Sequence, residues 1–204
     1  MKSFNALFAC TIVQFLIAGS AWSAEPGKMT EACAGCHGPN GTNTEAGVPN
    51  IGGYSKAYLL TTLEGFAAQK RPCPEATYTS GSKKGTKSDM CQIAKALDKA
   101  DADQIASYLA AQPFVRTKQK FDPVQAEKGK PIFDKSCTKC HSVEGDISND
   151  DAGILPGQKT EYITRQIAEF AGGTRPISKN MKTRFEKLNK AELEEIVQYL
   201  ASFN

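Results

Sequence analysis

The last forty residues carry the clearest periodicity in the chain. Leu193, Ile196, Val197 and Leu200 recur at the i, i+3, i+4, i+7 spacing of a helix with one buried face. Asn189 stands before them as an N-cap, and Glu192 follows three residues later as its capping-box partner. A similar pattern lies upstream, where Ile105, Tyr108 and Leu109 share a face and Asp101 is the predicted cap. Between the two, Asp122 followed by Pro123 predicts a third helix start, with a run to Phe133. Strand-like alternation is scarce, so the expectation is all-α, small and loop-rich.

These elements repeat. Two Cys-x-x-Cys-His motifs place their histidines 104 residues apart, at His37 and His141. The same offset pairs Ile51-Gly52-Gly53 with Leu155-Pro156-Gly157, Tyr58 with Tyr162, Leu63 with Ile167 and Phe66 with Phe170. It then falls to 91, pairing Met90 with Met181, and Ile105, Tyr108, Leu109 and Ala110 with Ile196, Tyr199, Leu200 and Ala201. The chain therefore reads as two copies of one module, the first carrying 13 extra residues between Phe66 and Met90. The expected domains are 25–112 and 122–204, joined by a linker at 113–121 that holds Pro113 and three basic residues.

Residues 1–24 read as a secretory signal. Lys2 is a short positive start, Leu7 to Ala18 is an apolar run, and small residues follow through Ala24. A retained anchor is the alternative, but the run is short for a bilayer. No second run of spanning length follows, so no membrane span is expected in the mature chain. The formal charge is +3, falling to +2 once Lys2 is removed, and this near balance argues against a nucleic-acid partner. The expected location is the periplasm.

The motifs supply the chemistry. Two intervening residues set a pair of thiols at the spacing of two haem vinyl groups, and the next residue offers an imidazole to the iron. Cys33, Cys36 and His37 form one such set, and Cys137, Cys140 and His141 the other. Zinc also takes Cys and His, but adjacent Cys-His suits one tetrahedral centre poorly. A redox Cys-x-x-Cys would leave both histidines unexplained. Two covalent haem c groups are expected.

The sixth ligand follows by elimination. The chain has two histidines, both inside the motifs, and four methionines. Met1 belongs to the signal, and Met29 matches Phe133 in the second copy and reads as core. Met90 and Met181 remain, one per module at matching positions. A His/Met pair fills both axial positions, which argues for outer-sphere electron transfer and against an independent enzyme. Of seven cysteines, Cys10 lies in the signal and four are haem thioethers, leaving Cys73 and Cys91 as a candidate disulfide around the insertion.

The chain resembles dihaem class I cytochromes c, and within them the haem subunit of flavocytochrome c sulfide dehydrogenase. The resemblance rests on Cys33-Ala34-Gly35-Cys36-His37-Gly38 and on Lys118-Gln119-Lys120-Phe121-Asp122. It extends over Cys137 to His141 with the acidic stretch through Asp151, Ile154-Leu155-Pro156-Gly157-Gln158, and Arg175-Pro176 before Met181. It implies a complex in which a separate FAD-bearing flavoprotein oxidises sulfide and passes electrons through these haems to a soluble cytochrome c. The chain itself has no glycine-rich flavin fingerprint. The Cys73/Cys91 insertion departs from the family pattern. The alternative is a free-standing dihaem carrier donating to a terminal oxidase or reductase.

Overall fold

A computed structural model of the chain describes residues 33–142 and 152–204. The signal sequence, Cys10, Met29 and the acidic stretch after His141 lie outside the described residues.

The first module opens with one helical turn, α1 (Gly35–His37), and a 3-10 turn at Pro39–Gly41. Helix α2 (Lys56–Ala67) starts on Ser55, whose hydroxyl accepts from the Tyr58 N–H. Two short strands follow, β1 (Ala76–Thr77) and β2 (Lys87–Ser88), paired antiparallel with Ala76 opposite Ser88. Helices α3 (Met90–Ala96) and α4 (Lys99–Ala110) complete the module. The second module contains α5 (Pro123–Ser136), α6 (Thr160–Ala171), α7 (Lys179–Phe185) and α8 (Lys190–Ala201).

The repeat holds at the level of elements. Helix α6 begins and ends 104 residues after α2, and α8 begins and ends 91 after α4. The N-cap of α4 is Asp98, not Asp101. Asp98 is the repeat partner of Asn189, and its carboxylate accepts from the Asp101 N–H at 2.8 Å. Asp101 thus falls in the first turn, where an acidic side chain still favours the positive end of the helix dipole. Asn189 and Glu192 form the reciprocal capping box.

Each module has one apolar core. Leu59, Ile105, Ala106 and Leu109 in the first match Ile163, Ile196, Val197 and Leu200 in the second. In the second module α5 crosses α8 at close range. A Cβ on Gly129 would meet the Glu195 carbonyl oxygen at 2.0 Å, so only glycine lets the two backbones touch. Phe133 is fully buried beside this crossing, its ring 5.6 Å from that of Tyr199.

The modules are locked together around an approximate two-fold relation. Asn50 and Ile154 are repeat partners, as are Tyr54 and Gln158, and the pairs bond across the interface. Gln158 accepts from the Asn50 N–H at 3.1 Å and donates to the Asn50 carbonyl at 2.8 Å and to the Tyr54 hydroxyl at 3.0 Å. The Tyr54 hydroxyl donates to the Ile154 carbonyl at 3.0 Å. All these groups are buried, so each bond satisfies a polar atom that water does not reach. The segment 113–121 has no regular structure but is pinned: Val115 accepts from Asn50, and the Thr117 N–H donates to Gly157.

Candidate functional site

Each Cys-x-x-Cys-His sequence forms a tight helical turn. The backbone N–H of Gly38 donates to Ala34, and that of His141 to Cys137, both at 2.9 Å. The turn directs the two histidines alike. His37 Nδ1 lies 2.9 Å from the Pro49 carbonyl oxygen, and His141 Nδ1 lies 2.9 Å from that of Gly153. A carbonyl only accepts, so Nδ1 carries the proton and the Nε2 lone pair is left free. Burial disfavours the imidazolium of both rings and lowers their pKa values, keeping them in the ligating neutral form. Sequence reading did not single out Pro49 and Gly153, yet the 104-residue offset pairs them.

Burial also pushes the Cys33 and Cys137 thiols up to about 11. These thiols stay protonated at neutral pH, the state in which S–H adds across a vinyl group. Cys36 is buried, and Cys140 is exposed.

A cavity of about 370 Å³, within the range of cofactor sites, lies in the first module and is closed on one side by Tyr162, Arg165 and Gln166 of α6. Cys33, Cys36 and His37 line it, and so does Met90 at the start of α3. The remaining wall is mostly apolar, including Ile51, Leu59, Leu63, Phe66 and Leu97. Arg71 also lines it and is a residue that sequence reading passed over. Its guanidinium lies 4.4 Å from the Phe66 ring centre, and Arg175 lies 4.3 Å from Phe170. The 104-residue offset that relates these two pairs narrows the insertion to the stretch after Arg71. Arg71 and Arg175 both donate to the side-chain oxygen of the buried Gln166. The Nε of Arg71 is buried without a hydrogen-bond partner. An unsatisfied guanidinium N–H in an apolar cavity suits a cofactor that carries carboxylates, as haem does. The donor set, the cavity and this orphaned N–H together fit haem c.

The insertion closes over this site. Cys73 and Cys91 are joined by a disulfide with a Cα–Cα distance of 5.8 Å, and Cys91 follows Met90 directly. The strand pair between them reaches the attachment turn. The Thr79 N–H and hydroxyl both donate to the Gly35 carbonyl, at 2.7 and 3.1 Å, and the Ser80 hydroxyl donates to Ala34. Tyr78 is 4 % exposed, and a Cβ on Gly35 would meet its ring at 2.3 Å.

In the second module Cys137, Cys140 and His141 follow the end of α5, and Met181 lies in the first turn of α7. A cavity of about 590 Å³ opens between α6, α7 and α8. Ile167, Phe170 and Leu188 line it at the repeat positions of Leu63, Phe66 and Leu97. Among the described residues its lining does not include Cys137, Cys140, His141 or Met181.

Two Cys-x-x-Cys-His turns, each with a carbonyl-oriented histidine and the first opening on a cavity, are the arrangement expected of a tandem haem c protein. The family model for cytochrome c matches residues 26–112 and again 126–204, and the chain belongs to that family. Curated relatives include cytochrome c-552 of Acidithiobacillus ferridurans, 26% identical over 98% of this chain and 85% of its own length. The thiosulfate dehydrogenase electron acceptor of Thiomonas intermedia is also 26% identical, over 92% of this chain and 85% of its own. Among solved structures, reduced cytochrome c4 from Pseudomonas stutzeri superposes with a TM-score of 0.68 at 26% identity, covering 87% of this chain and 96% of that one. The protein is accordingly a cytochrome c4-like dihaem electron carrier of class I type with two covalent haem c groups.

Proposed function

We propose that Cys33, Cys36, His37 and Met90 hold one haem, that Cys137, Cys140, His141 and Met181 hold the other, and that the chain carries electrons between a partner dehydrogenase and a further acceptor in the periplasm. The observation that carries this reading is the matched pair of histidine contacts, His37 to Pro49 and His141 to Gly153, each at 2.9 Å. They orient two neutral imidazoles in the same way, one per module. Haem c supplies a one-electron couple when bound. His37 with Met90, and His141 with Met181, would hold the iron, and methionine ligation would keep the couple at a higher potential. The residues of this chain therefore orient, exclude water and set the potential; they break no substrate bond.

The partner we favour oxidises a reduced sulfur compound. The resemblance of Lys118–Asp122, Ile154–Gln158 and Arg175-Pro176 points to a flavoprotein sulfide dehydrogenase subunit bearing FAD, with a soluble cytochrome c as onward acceptor. The relative named as electron acceptor of thiosulfate dehydrogenase supports a role beside a sulfur-oxidising enzyme. The expected absences of a mature membrane span and of a nucleic-acid partner belong to the same proposal. Among the described residues no helix is long and apolar enough to cross a membrane. Native purification is the test. A co-eluting yellow chain with covalent FAD supports the sulfide dehydrogenase reading, whereas a free protein reduced by a thiosulfate-oxidising haem enzyme supports the separate carrier.

A further inference from the structure

The 13 extra residues of the first module are more than a longer loop. Their disulfide fixes one end next to Met90, and their backbone is bonded to the Cys33–His37 turn through Thr79 and Ser80. The Thr77 carbonyl lies 3.8 Å from Cys36 Sγ. The insertion thus touches both the attachment side and the methionine side of the first site. Its outer part is all exposed from Gly81 to Lys87. That outer part holds Lys83, Lys84 and Lys87; the acidic residues nearby are Glu75, which pairs with Lys87 at 3.5 Å, and Asp89, whose side chain caps α3. Gly81 and Gly85 hold positive φ angles of 76° and 85° and have nothing within 4 Å of an added Cβ, so the tip stands clear of the rest of the chain. Among its described residues the second module has no such element.

We infer that this basic hairpin, Ala76 to Ser88, is a docking element for an acidic surface on a redox partner protein, and that it directs that partner to the first haem. The inference rests on the haem assignment proposed above. Lys83, Lys84 and Lys87 outnumber Glu75 and Asp89 on a strap beside one redox site and leave a local positive field, which raises the encounter rate with a negatively charged partner. A protein partner is favoured over a lipid surface because the lysines sit on a strap bonded to the haem-attachment turn, where docking has a use for electron transfer. A cluster of three is small for a polybasic membrane anchor.

The test compares the parent holoprotein with Lys83→Glu/Lys84→Glu/Lys87→Glu, and with the corresponding triple Gln variant. Two haems per chain in all three, measured as the pyridine haemochrome, uphold the underlying reading; a single haem in the parent overturns that reading instead. The fully reduced proteins are then oxidised by ferricyanide, an anion, and by tris(phenanthroline)cobalt(III), a cation. The oxidant takes one electron, ferricyanide becoming ferrocyanide, with no proton or bond transferred. At low ionic strength the Glu variant should lose about ten-fold in rate toward ferricyanide in one of two equal-amplitude phases. It should gain rate toward the cobalt complex in that same phase, with the Gln variant in between. The differences should vanish at roughly 0.5 M salt. Unchanged rates, or equal changes in both phases, overturn the docking role. Binding of the parent but not the Glu variant to phosphatidylglycerol vesicles, with oxidation rates unchanged, overturns it in favour of a membrane contact.

Discussion

Lys159, at the start of the second module's α6, donates its ammonium to the Val48 carbonyl oxygen of the first module at 2.7 Å. The same ammonium reaches the Glu45 carbonyl at 2.6 Å and Asn43 Oδ1 at 2.5 Å, and the side chain is 2 % exposed. Its repeat partner is Ser55, the N-cap of α2. At position 159 the helix forgoes a side-chain cap and uses the residue to hold the other module's loop. That loop ends at Pro49, which orients His37.

The first prediction concerns this lysine. Burial pushes its pKa from 10.5 down to about 8, with Glu45 partly opposing the shift. A lysine whose folded pKa is depressed binds fewer protons when folded, so unfolding takes up a proton between about pH 8 and 10.5. Stability should therefore rise with pH across that window, relative to a Lys159→Met variant. Urea denaturation at a series of pH values measures the difference. An identical pH slope in parent and variant would place the ammonium in water instead.

Met90→Ala and Met181→Ala test the proposed axial ligands. Each should remove half of the weak near-infrared band of ferric methionine-ligated haem and lower one of the two reduction potentials. Spectra and redox titrations of the two variants provide the check. A substitution that leaves both signals intact removes that methionine from the ligand set.

The disulfide should act locally. It closes a separation of 18 residues, for which the chain-entropy account gives roughly 3 kcal/mol. It ends beside Met90 and far in sequence from Met181. Cys73→Ser with Cys91→Ser should let the first haem exchange its methionine at lower pH, or bind added imidazole more readily, with the second haem nearly unchanged. Equal responses at both haems would make the bridge a general staple.

Gly129→Ala tests the helix crossing of the second module. The added methyl would lie 2.0 Å from the Glu195 carbonyl oxygen, so α5 and α8 must separate. Overpacking of this kind costs about 1–3 kcal/mol, and here it should fall on the second module's unfolding transition. Calorimetry that finds a parent-like midpoint would contradict the close crossing.

Much of this was legible in the sequence because the repeat supplies an internal control. The offsets of 104 and 91 anticipated the helix pairs, and Asn189 with Glu192 announced the start of α8 by local chemistry alone. The cap of α4 was misplaced at Asp101, since two aspartates three residues apart offer the same local signal; the repeat partner of Asn189 is Asp98. The β1–β2 pair escaped notice because two-residue strands are too short to show alternation. Arg71, Gln166 and Lys159 also went unread. Their roles arise from contacts between modules, made by residues about a hundred positions apart, and no local pattern encodes such a meeting.

The most direct measurement of the central claim is peptide mapping of the purified protein by mass spectrometry after proteolysis. The account predicts two covalent haem-bearing peptides, one containing Cys33 to His37 and the other Cys137 to His141, with Cys73 linked to Cys91 in a third. A haem-free peptide from either motif, or a haem on any other cysteine, would contradict it.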